Sequence, residues 1–98
     1  MADFQQLINK EEPVLIDFFA TWCGPCKMMP PILDELKKRM GSKVSILKID
    51  VDKNQQLARQ LNIRGVPTLA LYKQGKMVWR ESGVRQADEL ENVIRRYA

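Results

Sequence analysis

Apolar residues along the chain recur with two periods, one helical and one extended. Phe4, Leu7 and Ile8 share helical spacing, with Asp3 ahead as a possible cap, and predict a short helix over residues 3–9. Lys10-Glu11-Glu12-Pro13 reads as a turn, because a proline pushes its predecessor out of helical backbone. Val14 to Phe19 is apolar except for Asp17, as in a central strand covered on both faces. Leu33, Leu36 and Met40, with Met28, Met29 and Ile32 also available, predict a helix from Cys23 or Gly24 to Met40, stopped by Gly41-Ser42. Pro30 and Pro31 fall inside that span, so a kink is expected near Pro30.

The second half alternates shorter elements. Val44 to Ile49 is rich in branched residues and predicts a strand. Asp52 is placed to cap a helix from Lys53 to Leu61, with Leu57, Ala58 and Leu61 inward. Asn62 to Pro67 is irregular. Thr68 to Tyr72 and Met77 to Glu81 read as two strands joined by a hairpin at Lys73-Gln74-Gly75-Lys76. After Ser82-Gly83, the residues Ala87, Leu90, Val93, Ile94 and Tyr97 mark one face of a terminal helix. Helical crossovers imply parallel pairing of the early strands, and the hairpin implies an antiparallel edge, with helices on both sheet faces. The fold class is α/β. With no repeat or linker, residues 1–98 are expected to form one domain.

Composition narrows the function classes. About 45% of residues are apolar and 29% charged, which suits a globular chain, and no stretch approaches the roughly 20 apolar residues of a membrane span. The amino terminus lacks a basic segment followed by a long apolar one, so a cytoplasmic location is expected, although a processed exported domain would read the same. The net charge of +4 raises nucleic-acid binding as a possibility. However, Lys37-Lys38-Arg39 and Arg95-Arg96 are short runs without interleaved aromatics, and solvated helix faces account for them. No nucleic-acid or membrane partner is expected.

The two cysteines, Cys23 and Cys26, lie in Trp22-Cys23-Gly24-Pro25-Cys26-Lys27, between the predicted strand and the long helix. Two thiols are half of a tetrahedral zinc site, and the chain has no histidine and no further cysteine to complete one. A bridge across so short a loop constrains little of the unfolded chain, which leaves reversible redox use. Cys23, at the amino end of the helix, meets free N–H groups and the positive end of the helix dipole. Both favour a thiolate, so it is expected to be exposed and to attack first. Cys26, shielded by its own turn, is expected to resolve the mixed disulfide. Pro25 suits a first helical turn, and Gly24 leaves room beside the attacking sulfur.

Three further residues have both a chemical and an ordinary reading. Asp17 interrupts an apolar strand. If buried, its carboxyl titrates nearer neutrality and can exchange a proton with Cys26; the ordinary reading is an acid facing solvent. Trp22 offers apolar surface to a partner or simply packs at the sheet's end. Lys27 stabilises a thiolate or is a solvated helix residue. Pro67 opens a strand, where proline is normally excluded, and a cis bond there would expose the backbone of Val66 to an extended substrate.

Together these residues resemble the thioredoxin family along nearly the whole chain. The matching features are Asp17-Phe18, Trp22 to Lys27, Pro31-Ile32-Leu33-Asp34-Glu35, Lys48-Ile49-Asp50-Val51-Asp52, Gly65-Val66-Pro67-Thr68, Gly75 and Gly83. The resemblance implies a three-layer α/β/α fold and a protein-disulfide reductase with Cys23 attacking and Cys26 resolving. It further implies that Asp17 is a buried acid with Lys48 as its neighbour, that Pro67 is cis, and that the helix kink falls on Pro31. Gly65, Val66, Gly83 and Trp22 would line a substrate groove. No bound cofactor or metal is implied beyond the redox-active disulfide Cys23–Cys26. The implied partners are disulfide-containing proteins and an NADPH-dependent thioredoxin reductase.

The chain departs from the family pattern in two places. Phe19 stands where many bacterial relatives have tryptophan. Only two residues precede Asp3, so the family's amino-terminal strand is expected to be missing, leaving a four-stranded mixed sheet ordered 44–49, 14–19, 68–72, 77–81. Such an edge would expose strand 44–49 and favours self-association in principle, although a monomer is expected. The competing functions are an exported thiol oxidase or isomerase and a non-catalytic binding subunit. By resemblance to the family, Pro25 in place of histidine leans toward the reductant, and the intact cysteine pair makes a binding role an addition rather than a replacement.

Overall fold

Sheet order follows from which strands carry the most apolar sequence. A computed structural model describes residues 3–98. Strand β1 (Val14–Phe19) is buried almost throughout and lies inside the sheet, parallel to β2 (Ser45–Asp50) and antiparallel to β3 (Thr68–Lys73). Strand β4 (Lys76–Ser82) completes the order β2-β1-β3-β4. Among the described residues the sheet has four strands, in the order the sequence implied. The β3–β4 hairpin turns through Gln74 and Gly75, at φ of 51° and 82°. Two successive left-handed residues suit the twist of a two-residue hairpin, and glycine takes the second at least strain.

Alternation along β1 feeds two cores. Leu15 packs with Met29, Leu33 and Leu36 of α2 (Met29–Met40) and with Leu90, Val93 and Ile94 of α4 (Ala87–Arg96). Val14, Ile16 and Phe18 point the other way, joining Ile8 of α1 (Phe4–Ile8) and Leu61, which follows α3 (Gln55–Gln60). The result is the three-layer α/β/α fold. Asp17 is two residues from Leu15, so it faces the α2 layer from within the sheet.

Two local expectations are corrected. The helix does not run unbroken from the cysteines: Pro25–Met28 is a 3-10 turn, and α2 begins afresh at Met29. Pro30 and Pro31 therefore occupy the first turn of α2, where a missing N–H costs no hydrogen bond, and the interruption lies at Met28–Met29. Nor does Asp52 cap α3, which starts later, at Gln55, after Asn54. Asp50 instead accepts the N–H groups of Asp52 (2.9 Å) and Lys53 (3.3 Å). That turn leaves the Asp52 carboxylate free to act elsewhere.

Candidate active site

One end of the sheet collects most of the residues singled out in the sequence. The chain leaves β1 through Ala20, makes a tight turn, and enters the 3-10 segment with Cys23 and Cys26 joined as a disulfide, Cα atoms 5.3 Å apart. The Cys26 N–H donates to Cys23 Sγ at 3.1 Å. Among the described residues the Cys26 sulfur has no equivalent donor, so the two sulfurs sit in different electrostatic surroundings. Cys23 was expected to stand exposed and Cys26 to be shielded. Instead, both are nearly buried, at 4% and 5% exposure. They pack against Ala20, with Phe19, Val51 and Val66 around them.

The opposite wall is the segment before β3. The Val66–Pro67 peptide is cis, and Val66 O lies 3.6 Å from Cys23 Sγ. Pro67 O accepts the Gly83 N–H at 2.8 Å, and the Thr68 hydroxyl donates to Gly65 O at 2.5 Å. Thr68 and Ser82 are register partners, so the β3–β4 hairpin holds this wall from behind. A Cβ added at Gly24 or at Gly65 would meet no atom within 4 Å. The free fold therefore does not need glycine at either position. Three clefts of about 390 to 480 Å³ lie elsewhere on the surface, none of them lined by the cysteines.

Trp22 covers the third side and is 71% exposed. Its indole Nε1–H donates to Asp52 Oδ2 at 2.8 Å, which fixes a large apolar ring in solvent beside the cysteines. Sequence reading missed this role for Asp52 because an acid before a helical run reads first as a cap. The partnership joins positions 30 residues apart, and only the fold brings them together. An exposed hydrogen bond to a charged acceptor contributes about 1 kcal/mol. Asp52→Ala is accordingly expected to raise KM for a protein disulfide about threefold, shift Trp22 fluorescence, and leave the unfolding midpoint nearly unchanged.

Asp17 is 2% exposed, and its Oδ1 has no hydrogen-bond partner among the described residues. Burial pushes its pKa from 3.8 up to about 6, against the opposing field of Lys48. Lys48 sits beside it in register on β2 but is itself exposed, so its charge is mostly spent on solvent. A carboxyl that titrates near neutrality can either hold or accept a proton under cellular conditions. Lys27 lies exposed on the 3-10 turn, and nothing in the geometry ties it to either sulfur.

Comparison with known proteins agrees with this arrangement. The family model described as thioredoxin matches residues 1–96. A thioredoxin of Haemophilus influenzae is 43% identical over 98% of this chain and 91% of its own length. A thioredoxin-like protein of Synechocystis is 46% identical over 91% of this chain and 86% of its own. Among solved structures, a mutant thioredoxin from Halobacterium salinarum superposes with a TM-score of 0.88 at 37% identity, covering 99% of this chain and 84% of that one. Identity at this level, along nearly the full length of both partners and with the paired cysteines in place, makes the chain a dithiol–disulfide reductase belonging to the thioredoxin family.

Proposed function

We propose that Cys23 is the attacking thiol, that Cys26 resolves, and that Asp17 handles the proton between them. The observation that carries this reading is the Cys26 N–H aimed at Cys23 Sγ, a fixed donor that favours negative charge on that sulfur. In the reduced protein, the Cys23 thiolate attacks one sulfur of a partner's disulfide. A mixed disulfide forms and the partner's other sulfur leaves as a thiolate, to be protonated. Asp17, ionised, then takes the Cys26 proton. The new thiolate attacks Cys23 Sγ and displaces the partner's second thiolate, which receives a proton. Two electrons have passed to the partner, and the chain is left as the Cys23–Cys26 disulfide found here.

Trp22, Gly24, Pro25, Gly65, Val66, Pro67 and Gly83 are assigned to the face that receives the partner, with Lys48 tempering Asp17. The backbone of Val66 is the natural rail for an extended segment carrying the disulfide. Regeneration requires two electrons from outside, which we assign to an NADPH-dependent thioredoxin reductase. This chemistry needs a compartment that keeps dithiols reduced, so the cytoplasm is the proposed location. The chain is proposed to work as one domain and as a monomer. Lys48, exposed on edge strand β2, opposes strand-to-strand pairing of two copies. No helix among the described residues is long and apolar enough to cross a membrane.

The test is reduction of insulin disulfides with dithiothreitol as electron source, followed by turbidity. The protein is expected to shorten the lag to precipitation at micromolar concentration. A lag equal to that of dithiothreitol alone would overturn the assignment.

A further inference from the structure

Arg80 is a residue that the mechanism above does not use. It lies on β4 opposite Ala70, on the sheet face that packs α1 and α3. The residue is partly buried, and among the described residues its guanidinium has no ion pair, although three other arginines pair with acids. Instead, Nη1 donates to Leu61 O and Nη2 to Asn62 O, each at 2.5 Å. These carbonyls stand where α3 ends. Asn62 is left-handed there, at φ 55°, and the Ile63 N–H closes back to Ala58 O at 2.9 Å. Carbonyls at a helix's C-terminal end lack intrahelical donors, and a cation there is favoured by the dipole. A rigid fork with two donors meets two successive carbonyls in a way that a lysine cannot.

Four residues beyond Asn62 is Val66, whose carbonyl is 3.6 Å from the Cys23 sulfur. At its start the intervening segment is tied to α3 by backbone bonds, Leu61 N–H to Leu57 O (3.0 Å), Asn62 N–H to Arg59 O (3.1 Å) and Ile63 N–H to Ala58 O, and the free carbonyls of residues 61 and 62 are taken up by a side chain. Arg80 grips its start at residues 61 and 62. Thr68 and Gly83 grip its finish at Gly65 O and Pro67 O. Arg80, Thr68, Ser82 and Gly83 all belong to the β3–β4 hairpin or its continuation, so one rigid unit holds both ends. Losing the guanidinium fork would leave only the backbone bonds to α3 at the start, and would let residues 64–66 shift against the cysteines while the disulfide itself stays closed.

We infer that Arg80 is a positioning residue for substrate selection: through the 61–66 segment it sets the Val66 backbone opposite Cys23 and so is needed for extended protein disulfides but not for small ones. A small disulfide needs only the sulfur, and a protein segment needs the rail as well. This inference rests on the groove reading given above.

The experiment compares wild type, Arg80→Met and Arg80→Lys on two substrates, insulin and hydroxyethyl disulfide. Hydrogen bonds from a charged donor are each of a size to change binding about tenfold when lost. Arg80→Met, which keeps the aliphatic stem, is expected to raise KM for insulin about tenfold with kcat within twofold. Its rate with hydroxyethyl disulfide should stay within twofold of wild type. Arg80→Lys, which keeps the charge but not the fork, should fall between. A parallel loss on both substrates would show a general structural role and overturn the inference, as would unchanged kinetics on both. Should Arg80→Met fold poorly, the lysine variant decides alone: a selective insulin KM increase supports the inference, and a wild-type profile contradicts it. Wild type that reduces neither substrate would instead sink the reductase assignment, and this inference with it.

Discussion

Cys23→Ser is expected to lower insulin reduction by about 10³-fold or more, to the dithiothreitol background, because the attacking sulfur has no substitute in the chain. A serine hydroxyl at neutral pH is neither ionised nor soft enough to open a disulfide. Cys26→Ser should lose turnover as completely but for a different reason. Cys23 still attacks, and the mixed disulfide then waits for an external thiol. The two variants are told apart on non-reducing gels: Cys26→Ser accumulates covalent adducts with disulfide-bearing proteins that dithiothreitol releases, and Cys23→Ser does not. The asymmetry follows from the fixed Cys26 N–H donor on the Cys23 sulfur. Solvent access does not distinguish the two sulfurs in the oxidised form. Normal turnover by Cys23→Ser, or adducts trapped through Cys26 in that variant, would reverse the assignment.

Asp17→Asn is expected to stabilise the oxidised protein at pH 7 while slowing it as a catalyst. The folded carboxyl titrates at about 6 against 3.8 in the unfolded chain, a gap equivalent to about 3 kcal/mol. Below pH 3.8 both states are protonated and Asp17 carries no penalty. Between 3.8 and about 6 the unfolded chain gives up its proton while the folded chain keeps it, so stability is progressively lost. Above about 6 the loss is complete. Urea unfolding should therefore show a gain for Asp17→Asn of up to about 3 kcal/mol at pH 7, shrinking to near zero at pH 3.5. A gain that does not change with pH would mean that packing, not ionisation, sets the difference. On the chemical side, the role proposed for Asp17 as general base sets the expected loss at about 10²-fold. That loss should appear in single-turnover experiments as a longer-lived mixed disulfide, with the first attack little changed.

Much of this architecture is readable from residues alone, because the strong signals are local or topological. Val14–Phe19 is apolar on both faces and short, and it could only be an interior strand. The crossovers force parallel pairing with Ser45–Asp50, and the tight Gln74-Gly75 turn forces the antiparallel edge. Asp17 is conspicuous because a charged residue in such a strand opposes the pattern, and such contradictions tend to mark functional sites.

The features that sequence does not show depend on contacts between distant residues. The sequence neighbours of Asp52 suggest a helix cap. Its actual partner, Trp22, comes from another turn of the fold. The start of α2 is not legible because helical periodicity does not separate a 3-10 turn from an α-helical one over four residues. Cys23 was expected in the open, and the packing of Ala20, Val51 and Val66 around the bridge closes it. Arg80 gave no sign at all. A basic residue on a strand of mixed polarity looks like any solvated side chain, and the carbonyls it holds carry no sequence signature.

The claim on which the rest depends is that electrons flow from this dithiol into other proteins' disulfides, and equilibrium with a glutathione or dithiothreitol redox buffer measures it directly. The Cys23–Cys26 couple is expected near about −270 mV, the reference figure for thioredoxins rather than a consequence of this geometry. At that potential the reduced pair is a competent donor. A value near about −120 mV, that of a strongly oxidising dithiol protein, would mean that the pair accepts electrons instead and would contradict the account.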